Sequence, residues 1–189
     1  TTYLADGMLA ALGHRTAVIG TVAILIAGDT VPSVRTTPEA PELHALFAKM
    51  RAAEVDTCAM EVSSHALVLH RVDGIPFRAG IFTNLTRDHL DFHGTMEDYR
   101  AAKALLFDKA ERAILNLDDE TGELFASNVP CPVFTYSERK DEADLTAKNL
   151  RLFPDRVEFE AVTLGAISRV RLPIPGGFTV YNALGVIAC

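Results

Sequence analysis

Little in this 189-residue chain points to an oxidising compartment or to a lipid bilayer. Its three cysteines, Cys58, Cys131 and Cys189, stand far apart, and no C-x-x-C joins any two of them. An odd, scattered set excludes a disulfide framework and fits reduced thiols in a cytosol. No stretch reaches the roughly 18 uninterrupted apolar residues of a membrane span. No basic segment leads into an apolar one in the manner of a secretory signal. Internal repeats and low-complexity tracts are missing as well. Positive charge is in deficit: 18 Lys and Arg face 25 Asp and Glu, a net charge of −7. That balance argues against a general nucleic-acid surface, while a local site of opposite sign can still take an anionic small molecule. The phosphate-loop signature G-x-x-x-x-G-K-[ST] does not occur.

What is present suits one sizeable core: 49% of residues are hydrophobic and 23% charged. The first residues, TTYLADGMLAALG, already read as a helix with no strand or cap before it. The last, YNALGVIAC, stop within an apolar helical pattern. The expectation is a segment of a longer chain, forming one domain over residues 1–189.

Strands and helices alternate over residues 1–140. A helix over Tyr3 to Leu12 closes at Gly13. TAVIG reads as a buried strand, and VAILIAGDTVPSV as a hairpin turning at Gly28-Asp29. TTPEAPELHALFAKMRAA opens a helix with Thr37 as N-cap and Pro38 in the first turn. Its apolar stripe is Leu43, Leu46, Phe47 and Met50. VDTCAM, FRAGIFTN, RAILN and CPVFTYS read as strands. HALVLHRV, TMEDYRAAKALLFDKA and DDETGELFAS read as helices. In the second of these, Thr95 is the expected N-cap, with Asp98 three residues on. The pattern predicts an α/β fold with a doubly wound, mostly parallel sheet. Residues 141–175 alternate apolar and polar at period two, with bends at Pro154-Asp155 and Gly165, which predicts a small antiparallel meander. Residues 176–189 begin a final helix.

In an open α/β sheet, ligands bind beyond the carboxyl ends of the strands. Glu61 falls at such an end, in EVSSHAL. So do Thr83, Asn84 and the TRDHLDFH loop, and Asn116 after the following strand. Neighbouring strands would bring these polar tips to one crevice. Glu61 is a hard oxygen donor suited to Mg²⁺ with phosphates, or simply a solvated strand terminus. Ser63 or Ser64 suits the cap of the next helix. Asp88, His89, Asp91 and His93 form a set able to bind a metal or to make ordinary loop hydrogen bonds. Their spacing matches neither a zinc finger nor H-E-x-x-H. Arg71 and Arg87 suit carboxylate or phosphate clamps, although an isolated arginine is more often solvated. Lys103 reads as an exposed helix lysine. Only a partly desolvated lysine would stay neutral and take up CO₂ as a carbamate.

TTPE, EVSSHAL, FTNLTRDHLDFHGTMEDYRAAK, NLDD and GFTVYNAL, in this order, resemble the central domain of the Mur ligases. The likeness runs through most of the chain and leans to the branch that adds the third residue of the peptidoglycan stem peptide. It implies a P-loop NTPase-like fold in a cytoplasmic, ATP-dependent amide ligase. In such an enzyme the γ-phosphate passes to the D-glutamyl carboxylate of a UDP-MurNAc dipeptide. The amine of an amino acid, L-lysine or meso-diaminopimelate, then displaces phosphate. The resemblance implies Mg²⁺ as cofactor, with Glu61 on a first ion and with His89 and a carbamylated Lys103 on a second. It places Thr36, Thr37, Ser63 and Arg71 on the UDP-MurNAc peptide. Asn182 falls beside the adenine, and Asn84 at the nucleotide site.

Arg35 stands where many relatives carry Asn, and Leu69 where some carry Gln. The family's amino-terminal UDP-binding domain, most of its phosphate loop and its carboxy-terminal domain have no counterpart here. Thr1-Thr2-Tyr3 would follow directly on such a loop. The segment alone is expected to be catalytically silent and monomeric. Two other readings are a related folylpolyglutamate or cyanophycin-type ligase, and a noncatalytic nucleotide-binding module. The muramyl branch is favoured by EVSSHAL together with RDHLDFHG. The module is disfavoured by Glu61, His89 and Lys103 occurring together.

Overall fold

The computed structural model describes residues 1–189 as two compact units. The first comprises residues 1–75 with 97–106, and the second residues 76–96 with 107–189.

The first unit opens with α1 (Thr2–Ala11), which closes at Gly13 in the left-handed region, φ 93°. It holds a four-stranded sheet of β1 (Thr16–Ile19), β2 (Ile24–Ile26), β3 (Asp29–Val31) and β4 (Thr57–Met60), in the order β3-β2-β1-β4. β1 and β4 are parallel, whereas β2 and β3 form an antiparallel hairpin. Its turn is Ala27-Gly28, one residue earlier than expected, with φ of 50° and 94°. Two positive-φ central residues make the tight reversal that matches strand twist, and Asp29 is left to pair with Ile26.

α2 (Ala40–Ala52) also departs from expectation. Its N-cap is Glu39, which forms a capping box with Glu42, and Pro41 takes the first turn. Thr37 does not cap it, because its hydroxyl is used elsewhere. Leu43, Leu46 and Met50 are buried as the stripe requires. α3 (Ser64–Val68) is capped by Ser63, whose Oγ accepts from the Ala66 amide at 3.2 Å. α5 (Met96–Ala104) is shorter than its sequence pattern. The chain turns after Ala104, and Phe107 is buried in the second unit against Phe125.

The second unit carries a six-stranded sheet. β5 (Gly80–Phe82), β6 (Ala113–Asn116), β7 (Val133–Ser137) and β8 (Leu145–Leu152) pair in parallel. β9 (Val157–Thr163) and β10 (Ala166–Leu172) continue it antiparallel, so the meander extends the same sheet. β4 and β5 therefore lie in different sheets and are not paired neighbours. The remaining helices are α4 (Leu90–His93), α6 (Glu120–Ala126) and α7 (Phe178–Ile187).

The second unit's core joins Ile114, Tyr136, Leu145, Val157 and Phe159 to Val180 and Leu184 of α7. Each such side chain contributes about 1.5–3 kcal/mol by leaving water. The buried Tyr136 hydroxyl donates to the Phe82 carbonyl at 3.0 Å, which avoids an unsatisfied polar group. Gly122 is fixed by packing, since a Cβ there would stand 1.9 Å from the Asn116 carbonyl oxygen. The parallel β5–β6–β7 ladder, with α6 on the Asn116 strand end, carries polar residues to one rim.

Candidate functional site

β1 and β4 run in register from Thr16↔Thr57 to Ile19↔Met60, so both strands leave the sheet at the same end. Gly20 and Thr21 follow β1, and Glu61 follows β4. The Glu61 amide donates to the Ile19 carbonyl at 2.8 Å, which extends the ladder by one step. A Cβ on Gly20 would meet Glu61 Oε1 at 3.0 Å, so the glycine leaves room for the carboxylate. Glu61 Oε2 accepts from the Thr21 hydroxyl at 2.7 Å and the Thr21 amide at 3.1 Å. Oε1 accepts from the Thr2 hydroxyl at 3.2 Å. Thr21 Oγ1 is also 2.9 Å from Thr36 Oγ1. A carboxylate on a strand end is thus oriented by an amide and two hydroxyls, with a third hydroxyl beside it.

A second group of bonds fixes the loop behind Glu61. Thr37, 1% exposed, donates its hydroxyl to the Glu61 carbonyl at 2.9 Å and accepts from the Ser63 amide at 3.0 Å. Arg71 Nη1 donates to the Thr37 carbonyl at 3.2 Å, and Nη2 lies 2.9 Å from Glu39 Oε1. Arg71 Nε is buried without a hydrogen-bond partner. Glu61, Thr36, Thr37, Ser63 and Arg71 thus form one connected network in the first unit.

Lys103 belongs to the same unit, on α5. It is half-buried, and its Nζ lies 5.2 Å from the Tyr99 ring centroid, one helical turn back. Burial pushes its amine below the ordinary lysine range, because the cation loses solvation. Sequence pattern alone suggests an exposed helix lysine; a desolvated amine is what the structure has.

In the second unit His89 lies at the N-cap position of α4, with φ 55°. Its amide donates to Asp88 Oδ1 at 2.8 Å, and its Nε2 is 3.5 Å from Asp88 Oδ2, with the imidazole side chain 48% exposed. Asp88, His89, Asp91 and His93 do not assemble as a metal centre; no group of three His, Cys, Asp or Glu able to hold an ion occurs. α4 has only four residues, and 3.6 residues per turn spread their side chains around its axis.

Asn84 is exposed, two residues past β5. Beside it, the Leu85 amide donates to Asp119 Oδ2 at 2.9 Å. Asn116 ties two strand ends together by donating to the Thr83 carbonyl at 2.8 Å. Asn182 lies on α7, half-buried beside the buried Ala183 and Leu184.

Several positioning groups escape a reading by residue type. Thr2 and Thr21 are commonplace residues, and only the strand–Gly–Thr order of VIGT hints at a close approach. Asp118 accepts from Ser137 Oγ at 2.6 Å and from the Glu138 amide at 2.8 Å. The adjacent aspartates of NLDD thereby fasten three loops. Tyr181 is raised above its ordinary range by burial first and then by the charge of Asp118.

The Mur ligase middle domain model matches residues 1–189. UDP-N-acetylmuramoyl-L-alanyl-D-glutamate–2,6-diaminopimelate ligase 1 of Clostridium acetobutylicum is 45% identical over 188 residues, covering 100% of this chain and 39% of the relative. The Streptomyces avermitilis enzyme named as the same ligase is 42% identical over 191 residues, covering 99% and 38%. A solved structure of a ligase of that name superposes with TM-score 0.86 at 29% identity, covering 98% of this chain and 39% of the other. The chain thus spans about two fifths of the length of these relatives. With the family model matched end to end and the strand-end geometry in place, the chain belongs to the Mur ligase middle-domain family.

Proposed function

We propose that this chain is the ATP-using middle part of a cytoplasmic ligase that joins 2,6-diaminopimelate to UDP-MurNAc-L-Ala-D-Glu. The single observation that carries the reading is the Glu61 carboxylate, oriented at the β4 end by Thr2 and Thr21 with Gly20 packed against it. Diaminopimelate, rather than L-lysine, is supported by the names of the relatives.

The donor set fits Mg²⁺. The Glu61 carboxylate and the Thr2, Thr21 and Thr36 hydroxyls are hard oxygens, and a single carboxylate suits an ion that draws its other ligands from phosphates and water. Glu61 and Thr2 would hold such an ion. When bound, it neutralises phosphate charge and so favours phosphoryl transfer.

In the proposed reaction a D-glutamyl carboxylate oxygen attacks the γ-phosphorus of ATP, and ADP leaves. The amine of diaminopimelate then attacks the acyl carbon, phosphate departs, and the amine's proton passes to solvent. There is little covalent work for the protein in such a transfer, so positioning and electrostatics carry the rate. Thr36, Ser63 and Arg71 would bind the UDP-MurNAc peptide, while Thr37 fixes their loop from within. The desolvated Lys103 amine, in its neutral form, would add to the carbon of CO₂ and release one proton to solvent, leaving a carbamate able to offer two oxygens to a cation. His89 would offer an imidazole nitrogen from an exposed loop. Asn84 and Asn182 would face the nucleotide.

The test is phosphate release by the full ligase that carries this chain, with UDP-MurNAc-L-Ala-D-Glu, ATP and Mg²⁺. Release that depends on diaminopimelate and is weak with L-lysine supports the reading. Preference for lysine removes the amino-acid assignment, and release with folate substrates instead removes the muramyl one.

A further inference from the structure

The carboxyl ends of parallel strands form the rim on which an open α/β sheet binds its ligands. In the second unit β5 and β6 are parallel with Phe82 opposite Leu115, so Thr83 and Asn116 come out of the sheet side by side. Residues 116–119, NLDD, bond to both flanks of Asn84. The Asn116 side-chain amide donates to the Thr83 carbonyl at 2.8 Å, and the Leu85 amide donates to Asp119 Oδ2 at 2.9 Å. The Thr83 oxygen belongs to the peptide unit before the Asn84 Cα, and the Leu85 nitrogen to the unit after it. Peptide units are planar and stiff, so pinning both restrains the Asn84 backbone and sets the direction of its Cα–Cβ bond. The clamp is itself held. Asn116 is buried, its Oδ1 accepts from the Asp118 amide at 3.0 Å, and Asp119 Oδ1 accepts from the Thr121 amide at the start of α6.

Asp118 ties the same tetrapeptide to β7 and α7. Its Oδ1 accepts from the buried Ser137 hydroxyl at 2.6 Å, and its Oδ2 from the Glu138 and Arg139 amides at 2.8 and 3.3 Å. The Tyr181 hydroxyl of α7 bonds to this carboxylate as well. Burial first, then the charges of Asp118 and Glu138, raises Tyr181 above its ordinary range, so the hydroxyl keeps its proton and remains a donor. Tyr181 immediately precedes Asn182. One stretch of four residues therefore fixes the segments that carry two asparagines far apart in sequence.

We propose that Asp119 and Asp118 are positioning residues for the nucleotide: Asp119, with Asn116, orients Asn84, and Asp118, through Tyr181, sets Asn182. The inference rests on the ligase reading above, in which the two asparagines face ATP. Neither aspartate has to touch the nucleotide; each acts through the asparagine that it holds.

The experiment is steady-state kinetics on the full ligase, with the melting temperature read alongside. Asp119→Ser keeps an oxygen to cap α6, since serine caps about as well as aspartate, but leaves the Leu85 amide without its acceptor. The KM for ATP should rise about fivefold, the value of one oriented hydrogen bond, with the KM for UDP-MurNAc-L-Ala-D-Glu within about twofold. Tyr181→Phe removes the tie to α7 and leaves the other three donors on Asp118 in place. Its ATP KM should rise less, about threefold, because Val180 and Leu184 also hold α7 in the core. Double-mutant cycles read the route. Asp119→Ser in an Asn84→Ala background, and Tyr181→Phe in an Asn182→Ala background, should each add less than about twofold, because residues acting through one another do not add. Should Asp119→Ser fail to fold, Asp119→Asn, which keeps one acceptor oxygen, takes its place in the cycle.

An ATP KM equal to wild type in a folded single variant overturns the role of the aspartate it tests, and so does full multiplication of the two effects in its cycle. A wild type that binds ATP yet forms no amide sinks the ligase reading instead, and calorimetric ATP affinities of the same variants then decide the positioning roles. A wild type that binds no ATP removes both.

Discussion

The Glu61 network and the His89 loop solve the problem of presenting a polar group in opposite ways. Glu61 sits at the end of a strand in a parallel ladder, and its carboxylate accepts from Thr2 and Thr21, which come from separate elements. His89 is the N-cap of a four-residue helix, with its own backbone in the left-handed region, and the bonds described for it are to its neighbour Asp88. The first is held by bonds from distant parts of the chain, and the second carries bonds to its sequence neighbour. A strand-end carboxylate held from several sides is ready before any ligand arrives. A half-exposed imidazole is reachable from solvent. This contrast implies that substitutions in the groups that hold Glu61, such as Gly20 and Thr37, disturb geometry and stability together, whereas truncation of the half-exposed His89 side chain costs little stability.

Apart from Glu61 itself, the largest expected effect lies at a residue outside both groups. Lys103→Ala in the full ligase should lower kcat by about 100-fold or more, with partial rescue by acetate, if its oxygen-donor form serves a developing charge. The pH dependence has a definite sign. Burial depresses the amine pKa, so the neutral fraction at a given pH exceeds that of an exposed lysine. Activity that depends on added CO₂ should therefore rise with pH earlier than an ordinary lysine would allow. Steady-state rates across pH, with and without bicarbonate, check this.

Gly20→Ala sharpens the comparison directly. Its Cβ would stand 3.0 Å from Glu61 Oε1 and 3.2 Å from the carboxyl carbon, so the carboxylate must shift. A displacement of a few tenths of an ångström to 1 Å should cost about 10- to 100-fold in turnover. The melting temperature, read alongside, separates misplacement from unfolding.

Thr37→Val removes a buried hydroxyl that both donates and accepts. The orphaned Glu61 carbonyl and Ser63 amide should cost about 1–3 kcal/mol, measured by urea denaturation. At the small end, His89→Ala should change stability by less than about 0.5 kcal/mol, because its side chain is half-exposed and its ion pair with Asp88 is solvated. A large destabilisation there would erase the contrast between the two regions.

The sequence made some of this visible and hid the rest for physical reasons. Alternating apolar strands and helices gave away the α/β class, because burial on both faces leaves a compositional trace. Glu61 was visible because a carboxylate after an apolar run is conspicuous. The division into two sheets was not visible, since strand pairing is a long-range property that VDTCAM and FRAGIFTN do not encode locally. The Thr37 cap failed because two threonines precede a proline and either a cap or a tertiary bond suits them. Tertiary bonding won, and Glu39, with Glu42 three residues on, took the cap. Desolvation of Lys103 depends on what packs around α5, which periodicity does not report. For Asp88, His89, Asp91 and His93, composition left a metal set and ordinary loop bonds equally open, and the folded chain does not gather them into a metal-holding group.

The most direct measurement is Mg²⁺-dependent ligation by Glu61→Gln, an isosteric change that removes the charge and keeps the shape. The account predicts a loss of about 10³-fold in kcat, with binding of the UDP-MurNAc dipeptide retained and the melting temperature nearly unchanged. Turnover equal to wild type at the same Mg²⁺ concentration would contradict it.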